Sequence, residues 1–238
     1  MNELNQSIIH IWHTQLQSHR KKYKLFQSWL SSEEKRRADR LALTYRENFI
    51  ISRGVLRDLL AYYSKKSPQE LKLSYSLFGK PLLTNSDQGI EFNLSHSKNS
   101  LAYAFTLNTP VGIDIEYIRC GINLDKIAYR FLSVDEYTRL KSLQENQKLN
   151  AFFNAWVRNE ALIKAKGYTL KTHPCSQYKQ SLNTQLKRLK KNTAVFYTLY
   201  NFPFYSNFSA AIAVKGNEKP LSVKEYIHTL SVLTPGNK

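Results

Sequence analysis

The sequence predicts an α+β protein composed of two similar halves, residues 1–108 and 109–238. Stretches with helical periodicity are segregated from groups of short β-type runs, as in α+β folds. A set of features also recurs about 100–110 residues along the chain, which is a weak internal repeat. The recurring features are capping boxes at Ser31 and Ser133, helices carrying Arg53 and Glu160, and the strands SLAYAF and FSAAIAV. Two such halves leave a cleft between them where a ligand can bind.

The first half begins with a predicted strand, IIHIWHT at residues 8–14. Ser31 and Glu34 have the spacing of a capping box, which opens a helical stretch that continues, with interruptions, to Tyr63. Three short β-type runs follow, KLSYSLF (72–78), IEFNLS (90–95) and LAYAFTL (101–107).

The second half begins with the β-type run VGIDIEYI at residues 111–118. Ser133 and Glu136 form a second predicted capping box. Helical periodicity then returns in FFNAWVRNEALIKAKG, and Gly167 is expected to end that helix. Two late strands are predicted, AVFYTLY (194–200) and FSAAIAV (208–214).

Composition indicates a globular protein without a membrane span. Apolar residues make up 42% of the 238 residues, and no run approaches the ~18–20 apolar residues that a transmembrane helix needs. The N-terminal MNELNQSIIHIW lacks the cationic start and the cleavage site of a signal peptide. We therefore expect a soluble cytoplasmic protein, a monomer in which the two halves form a pseudo-dimer. Cys120 and Cys175 have neither metal-ligand spacing nor a disulfide framework, and reduced structural thiols are expected.

Charge is the strongest global signal in the sequence. The excess of 35 Lys and Arg over 18 Asp and Glu gives a net charge of +17. Such a charge attracts nucleic acid, an anionic membrane, a phosphorylated small molecule or an acidic protein, and does not choose among them. The clusters HRKKYK (19–24), KRRADR (35–40) and KRLKK (187–191) are separated and lack the interleaved aromatic residues of RNA-binding surfaces. Each cluster alone is expected to be a solvated helix face.

The run VGIDIEYI places two carboxylates on one face of a strand. Because side chains alternate, Asp114 and Glu116 share the face opposite Val111, Ile113 and Ile115. Two partly shielded carboxylates about 4 Å apart repel by several kcal/mol, and a bound cation would relieve that repulsion. Hard oxygen ligands favour Mg²⁺ or Mn²⁺. The alternative is a solvent-facing edge strand, on which the two charges are harmless.

The helix WVRNEALIKAKG aligns Trp156, Glu160 and Lys164 along one stripe, because each lies four residues after the last. One interpretation is an exposed ion pair between Glu160 and Lys164, worth about 0.2–0.5 kcal/mol, with Trp156 in the core. The other is that Glu160 belongs to a polar site.

Two further motifs have weak functional signals. LFGKPLL (77–83) places Lys80 in a tight Gly-Lys-Pro turn, and FNLSHSKN (92–99) ends a strand with small hydroxyl residues and His96. Hydroxyl groups, backbone N–H groups and an imidazole at a strand end can bind phosphate oxygens. Alone, a histidine at a strand end is more often structural or exposed, and a Gly-Lys-Pro sequence is more often only a turn.

Taken in order, these motifs resemble the signature of a known enzyme family. Arg53, the Gly-Lys-Pro turn, NLSHS, GIDIE and W-x-x-x-E-A-x-x-K-A-x-G resemble the large, surfactin-synthetase-activating type of 4'-phosphopantetheinyl transferase. The resemblance extends over roughly residues 31–170, and the remaining C-terminal part matches only in pattern.

This resemblance implies a fold, a reaction and a set of site residues. Proteins of this family fold as two similar α+β halves related by a pseudo-two-fold, with coenzyme A between them. They transfer its 4'-phosphopantetheine arm to a serine of an apo acyl or peptidyl carrier protein and release adenosine 3',5'-bisphosphate. Carried over by motif, Asp114, Glu116 and Glu160 would hold Mg²⁺, with Mn²⁺ as an alternative. Lys164 would pair with a phosphate, and the nucleotide end would contact Arg53, Lys80, Ser95 and His96.

The resemblance also implies catalytic roles for Glu160 and Lys164. Glu160 would accept the proton of the incoming serine, directly or through a water; alternatively it is only a ligand and a metal-bound water takes the proton. Carrier proteins of this kind are acidic around the modified serine, so the positive net charge of this chain would accelerate encounter.

One position departs from the family pattern. The family has Lys immediately before the helix glutamate, where this chain has Asn159. We expect weaker phosphate binding or a lower rate unless Arg158 or Lys166 substitutes for the missing cation. Two alternatives to an active transferase remain, an inactive relative that binds coenzyme A and a basic nucleic-acid-binding protein. Neither membrane nor nucleic acid is expected as a partner under the main interpretation.

Overall fold

Two sheets face each other, and a long helix covers the outer face of each. These layers are seen in the computed structural model, which describes residues 4–77, 79–84, 88–168, 196–216 and 222–229. The helices are α1 (Tyr23–Trp29), α2 (Ser32–Asp39), α3 (Leu43–Ser64), α4 (Leu124–Phe131), α5 (Val134–Ser142) and α6 (Glu145–Ala165). The strands are β1 (Ile8–Gln15), β2 (Leu73–Tyr75), β3 (Pro81–Leu83), β4 (Ile90–Ser97), β5 (Ser100–Leu107), β6 (Val111–Tyr117), β7 (Tyr197–Asn201), β8 (Phe208–Lys215) and β9 (Ser222–Ile227). The predicted α+β class is confirmed.

The two sheets take their strands from different parts of the chain. The larger sheet has the order β4-β5-β1-β9, and the smaller has the order β6-β8-β7. Neighbouring strands are antiparallel except for β9, which runs parallel to β1. The late strand β9 therefore lies in the sheet formed by the first half, and β2 and β3 form a separate hairpin. Division of the chain after residue 108 and the pseudo-two-fold relation stay predictions.

Alternation of side chains along the strands produces the layers. On β5, Leu101, Tyr103 and Phe105 face the core beneath α3, while Ala102 and Ala104 face the second sheet. Successive side chains of a strand point to opposite faces, so one strand serves two cores. Strands buried on both faces contain nearly continuous apolar runs, which explains the clear signal at LAYAFTL.

Both predicted capping boxes are confirmed. Ser31 Oγ accepts a hydrogen bond from the Glu34 N–H at 3.2 Å, and Glu34 Oε2 accepts one from the Ser31 N–H at 3.0 Å. The same reciprocal pair, between Ser133 and Glu136, opens α5. These bonds satisfy backbone donors at the helix N-termini.

Helix α6 ends as predicted but begins earlier. Gly167 follows the helix with φ +83°, a left-handed conformation that glycine adopts without a steric penalty. The helix starts at Glu145, nearly two turns before the apolar periodicity begins at Phe152. Those first turns are mainly polar and exposed, so they carry no periodic signal.

Prediction missed two strands, and it also missed helix α4. Strands β3 and β9 were not predicted, because β3 has three residues and begins with proline, while β9 is a mostly exposed edge strand containing Lys224 and Glu225. The predicted run 72–78 contributes only Leu73–Tyr75 as β2, since the chain then enters the Gly-Lys-Pro turn. The predicted run 194–200 corresponds to β7, whose first residue is Tyr197.

Composition-based predictions can be compared for part of the chain. Across the described residues, no helix combines the length and the apolar character needed to cross a membrane. Cys120 is a free, exposed thiol. Cys175 and the KRLKK cluster lie outside the described residues.

Helix α6 packs directly on strand β6 because Gly112 has no side chain. A Cβ placed at Gly112 would lie 2.1 Å from the carbonyl oxygen of Ala161 and 2.3 Å from the backbone nitrogen of Ala165. Ala211 and Ala213 of β8 face the same helix and are also small. The helix backbone can therefore approach the sheet closely, which brings its C-terminal half next to the carboxylates of β6.

Replacing Gly112 with Ala is expected to lower the free energy of unfolding by about 1–3 kcal/mol or more, because the new methyl group would overlap helix backbone. Thermal denaturation checks this. The double variant G112A/A165G is the control: truncating the Ala165 side chain leaves the clashing backbone atoms in place, so it should be no more stable than G112A. Recovery of the wild-type melting temperature would contradict a backbone contact.

Candidate active site

Strand β6 presents two carboxylates on the face that meets helix α6. Its residues Val111, Ile113 and Ile115 are fully buried between the two sheets, as the alternation predicted. On the opposite face, Asp114 is 4% exposed and Glu116 is half-buried. The alternative of a solvent-facing edge strand is therefore wrong, and both carboxylates lie where unpaired charge is costly.

The carboxylate of Asp114 is held on one side. Lys164 Nζ donates a hydrogen bond to Asp114 Oδ1 at 2.7 Å, and Ser95 Oγ donates to the same oxygen at 2.8 Å. Lys164 also donates to Ser95 Oγ at 3.0 Å and to the carbonyl oxygen of Ile113 at 3.2 Å. The second oxygen, Asp114 Oδ2, is buried and has no hydrogen-bond partner among the described residues. One oxygen of this carboxylate is thus left for a further ligand.

Glu116 has its own hydroxyl partner on β4. Ser97 Oγ donates a hydrogen bond to Glu116 Oε2 at 2.9 Å. Burial raises the pKa of Glu116, and the negative charge of Asp114 raises it further. The carboxyl group of Glu116 therefore resists ionisation, and a further cation nearby would favour its charged form.

Glu160 is the third carboxyl group of the cluster. Burial, followed by the negative charge of Asp114, raises the pKa of Glu160 to about 8; Lys164 acts in the opposite direction. Lys164 forms its ion pair with Asp114 of β6, which excludes the interpretation of an exposed helical pair. Trp156 packs edge-on against Phe131 of α4, so the indole belongs to the core that supports the site.

The fit of a cation to these carboxylates can be judged from their surroundings. The unpartnered Asp114 Oδ2 and the upward pKa shifts of Glu116 and Glu160 indicate excess negative charge that a cation would offset. Within the described residues, no set of three or more His, Cys, Asp and Glu side chains is arranged to hold a metal unaided. Mg²⁺ commonly takes one or two carboxylates and completes its shell with water and substrate phosphate. The donor set fits Mg²⁺ bound together with a phosphate-bearing substrate.

Arg53 lies beside a group of arginines on α2 and at its C-terminal end. Its guanidinium carbon lies 5.3 Å from the ring centroid of Phe49 and 5.7 Å from that of Tyr75, and Arg37 lies against the same two rings. Arg53 Nη1 is buried without a hydrogen-bond partner in the described part of the chain. Burial lowers the pKa of Arg53. Next to it is a cleft of about 430 Å³ lined by Glu33, Arg36, Arg37, Arg40 and Tyr75.

His96 lies between the arginine group and the carboxylate cluster. Desolvation lowers the pKa of its imidazole, and the positive charges of Lys164 and Arg53 act in the same direction, while Asp114 opposes them. The imidazole is therefore neutral at pH 7 and can donate or accept one hydrogen bond at each nitrogen. His96 is therefore close enough to interact electrostatically with both groups.

Lys80 links the β2–β3 hairpin to the second sheet. The Gly-Lys-Pro turn is confirmed, with Gly79 at φ +84°. Lys80 Nζ donates a hydrogen bond to the carbonyl oxygen of Val111 at 3.1 Å, at the start of β6. Burial lowers the pKa of this ammonium group. Lys80 therefore lies beside the strand that carries the carboxylates, and its hydrogen bond there is to the backbone.

Asn159, the position that departs from the family pattern, faces away from the carboxyl groups of Asp114, Glu116 and Glu160. It is 8% exposed, and its Nδ2 lies 3.4 Å from Glu136 Oε2, in the capping box of α5. Neither suggested substitute is directed at the carboxylates: Arg158 bonds to Asn201 of β7, and the Lys166 ammonium lies over the Tyr197 ring.

Several residues of this region were not predicted from sequence. Arg36, Arg37 and Arg40 were interpreted as a solvated helix face, and Tyr75 as part of a strand. Ser97 and Asn93 were not singled out for their contacts with β6. The one available signal for them was the alternation of polar residues at 93, 95 and 97 in β4.

The geometry suits a ligand with several phosphate groups. The three carboxyl groups beside Lys164 can hold a cation with a phosphate, and the arginine group can bind a further phosphate, with His96 near both groups. With a pKa near 8, the Glu160 carboxyl group keeps its proton at pH 7 in the protein without a cation, and a bound cation would favour the ionised form, which can accept a proton.

Comparison with known proteins gives consistent results. Residues 110–225 match the model of the 4'-phosphopantetheinyl transferase superfamily. The chain is 34% identical to the 4'-phosphopantetheinyl transferase HetI of Nostoc sp. over 211 residues, covering 87% of this chain and 88% of HetI. It is also similar to gsp of Aneurinibacillus migulanus (34% over 134 residues, 56% of this chain and 54% of gsp). Sfp of Bacillus subtilis is 28% identical over 145 residues, 60% of this chain and 62% of Sfp. Both of these are named 4'-phosphopantetheinyl transferases, and each is matched over less than two thirds of its length.

Glu160→Gln is expected to change the pH dependence of stability. The pKa of Glu160 is near 8 in the folded protein and 4.5 is its ordinary value, so at pH values between the two the folded protein binds a proton that the unfolded chain has released. Stability therefore falls as pH rises from about 4.5 to about 8, and the loss is complete above about 8. Glutamine is uncharged throughout, so E160Q should match the wild type near pH 5 and exceed its melting temperature above pH 8.

Melting curves in metal-free buffer at pH 5, 7 and 9 test this. Glu145→Gln is the matched control on the same helix, because Glu145 is exposed and pairs only locally with Lys148. It should leave the pH dependence unchanged. Parallel curves for E160Q and wild type at all three pH values would contradict the shifted pKa.

Proposed function

Because this chain belongs to the 4'-phosphopantetheinyl transferase superfamily, we propose that it transfers the 4'-phosphopantetheine arm of coenzyme A to a serine of an apo carrier protein. Adenosine 3',5'-bisphosphate is the other product. The observation that carries this proposal is the cluster of Asp114, Glu116 and Glu160 beside Lys164, in which Asp114 keeps a buried, unpartnered oxygen. A pyrophosphate with its cation satisfies both that oxygen and the charge of the lysine.

The carboxylate end of the cleft receives the pyrophosphate of coenzyme A. Asp114, Glu116 and Glu160 would hold Mg²⁺, or Mn²⁺ as an alternative. When bound, the ion offsets negative charge on the pyrophosphate as the leaving group departs. Lys164, already within 2.7 Å of Asp114, supplies a second positive charge on the same side.

Transfer requires one proton acceptor. The serine oxygen of the carrier forms a bond to the phosphorus that bears the pantetheine arm, and the bond from that phosphorus to the oxygen of the adenosine bisphosphate breaks. The serine proton passes to Glu160, directly or through a water. Burial and neighbouring carboxylates make Glu160 more basic than an exposed glutamate, which favours this role.

The arginine end of the cleft binds the nucleotide. Arg53, with a buried and unpartnered Nη1 between two aromatic rings, is the anchor for the 3'-phosphate. Arg36, Arg37 and Arg40 surround the adjoining cleft of about 430 Å³. His96 and Ser95 lie between this end and the carboxylates, and Lys80 approaches the start of β6. These four positions, Arg53, Lys80, Ser95 and His96, form the proposed coenzyme A contacts.

The carrier protein is proposed to be acidic around its modified serine. A net charge of +17 favours such a partner through long-range attraction, which salt weakens. Asn159 is oriented toward Glu136 rather than toward the three carboxyl groups of the site. The lysine that the family has at this position is therefore not needed within that cluster, which favours an active enzyme over an inactive relative.

Incubation with coenzyme A, Mg²⁺ and a panel of apo acyl and peptidyl carrier proteins tests the function. The phosphopantetheine mass increment should appear on at least one carrier and depend on its serine. Coenzyme A binding without any increment would support the inactive relative. Failure to bind coenzyme A, with a gel shift of DNA or RNA, would support the nucleic-acid binder.

Arg53→Lys is expected to raise the KM for coenzyme A about tenfold with little change in kcat, because a lysine keeps the charge but loses the planar contact with phosphate. Dephospho-coenzyme A lacks the 3'-phosphate, so its KM should be nearly unaffected by the substitution. Steady-state kinetics with both substrates checks this.

Arg46→Lys is the matched control on the same helix. Arg46 donates to the carbonyl oxygens of Ala38 and Asp39 rather than lining the cleft, and its replacement should leave both KM values unchanged. Equal effects of R53K on the two substrates would remove Arg53 from the 3'-phosphate site.

A further inference from the structure

The edge of strand β6 is joined to strand β4 by side chains, although the two strands belong to different sheets. Three alternate residues of β4 each accept a hydrogen bond from a backbone N–H of β6. The three pairs, donor first, are Ile113 to Asn93 Oδ1 at 3.1 Å, Ile115 to Ser95 Oγ at 3.3 Å and Tyr117 to Ser97 Oγ at 3.0 Å. We call this set the side-chain ladder.

Two members of the side-chain ladder each donate a hydrogen bond to a carboxylate, and the third donates none to a carboxylate among the described residues. Ser95 donates its hydroxyl proton to Asp114, and Ser97 donates its own to Glu116 at 2.9 Å. An amide oxygen such as Asn93 Oδ1 can only accept. The ladder therefore has a structural function common to all three residues and a carboxylate-holding function confined to the two serines.

Ser97 is the member that isolates the second function. Ser95 also contacts Lys164, so its replacement would disturb two proposed site residues at once. Among the hydrogen bonds of the described residues, Ser97 contacts the carboxyl groups of the site only through Glu116. Ser97 also accepts a hydrogen bond from the N–H of Tyr117, the residue that follows Glu116. One hydroxyl group thus constrains both the side chain of Glu116 and the peptide that follows it.

We infer that Ser97 is a positioning residue, which orients the Glu116 carboxylate for the Mg²⁺-coenzyme A complex; this inference rests on the proposed function. Mg²⁺ requires near-ideal octahedral geometry, so the rotation of a ligating carboxylate matters. Partners that orient a ligand typically contribute 10–100-fold to metal affinity or activity. Without Ser97, Glu116 can turn within the cluster, and its charge is no longer fixed relative to Asp114.

Three variants separate positioning from fold support. Ser97→Ala removes both bonds of the hydroxyl group, Ser97→Thr keeps the hydroxyl group, and Asn93→Ala removes a ladder bond that involves no carboxylate. Asn93 is 5% exposed and Ser97 is 9% exposed, so the two alanine variants lose bonds in similarly buried surroundings. Any effect common to both alanine variants is structural.

The first measurement uses the protein without Mg²⁺ or coenzyme A. Amide hydrogen exchange should accelerate at Tyr117 in S97A and at Ile113 in N93A, and S97T should protect Tyr117 as the wild type does. The second is calorimetric titration of coenzyme A with and without Mg²⁺. S97A should lose about 10–100-fold of the Mg²⁺-dependent part of the affinity, whereas N93A and S97T should keep it within about threefold.

Carrier modification completes the test. S97A should lower kcat about 10–100-fold, with partial recovery at high Mg²⁺, while N93A and S97T stay within about threefold of the wild type. Equal losses in S97A and N93A, in Mg²⁺-dependent binding or in turnover, would overturn the inference and reduce Ser97 to fold support. A wild-type protein that modifies no carrier would instead refute the proposed function, so the two failures are distinguishable.

Discussion

The close contact between Gly112 and the backbone of α6 is the constraint on which the candidate site depends. A helix separated from its sheet by ordinary side chains would carry Glu160 and Lys164 too far from β6 to share a site with Asp114. Here the carbonyl oxygen of Ala161 and the backbone nitrogen of Ala165 occupy the space that a Cβ at Gly112 would need. Small residues at Ala211 and Ala213 extend the same contact along the sheet. Because a packed backbone cannot deform gradually, the separation between the α6 backbone that carries Lys164 and the β6 backbone that carries Asp114 is fixed by the fold.

That fixed distance creates an electrostatic conflict within the folded protein. Three carboxyl groups lie beside one ammonium group, and the pKa shifts of Glu116 and Glu160 are both upward. Proteins commonly give up stability at functional sites in this way, because the same arrangement is favourable once the ligand is bound. The two serines of β4 hold Asp114 and Glu116 in place, and the arginine cleft presents the opposite charge at the far end. The protein is thereby complementary to an anionic ligand that brings its own cation.

Sequence reasoning predicted the features that depend on local order. Strand alternation placed Asp114 and Glu116 on one face, and the four-residue spacing placed Glu160 and Lys164 on one stripe. It could not show that Lys164 pairs with Asp114, fifty positions away, or that Asn159 turns toward Glu136. It also missed β9, which is defined by its pairing with β1 rather than by an apolar pattern. Contacts between distant segments decide these features, and a short motif carries no information about them.

The central claim is that Glu160 acts on the bound substrates and is not a structural residue. Single-turnover transfer by Glu160→Gln tests it most directly. The transfer is measured with saturating coenzyme A, Mg²⁺ and an apo carrier from the panel that the wild type modifies. An amide provides no negative charge for the metal and accepts no proton at neutral pH, so we predict a rate at least about a hundredfold below the wild type, with the protein still folded. A rate equal to that of the wild type would contradict the claim and return Glu160 to a structural role.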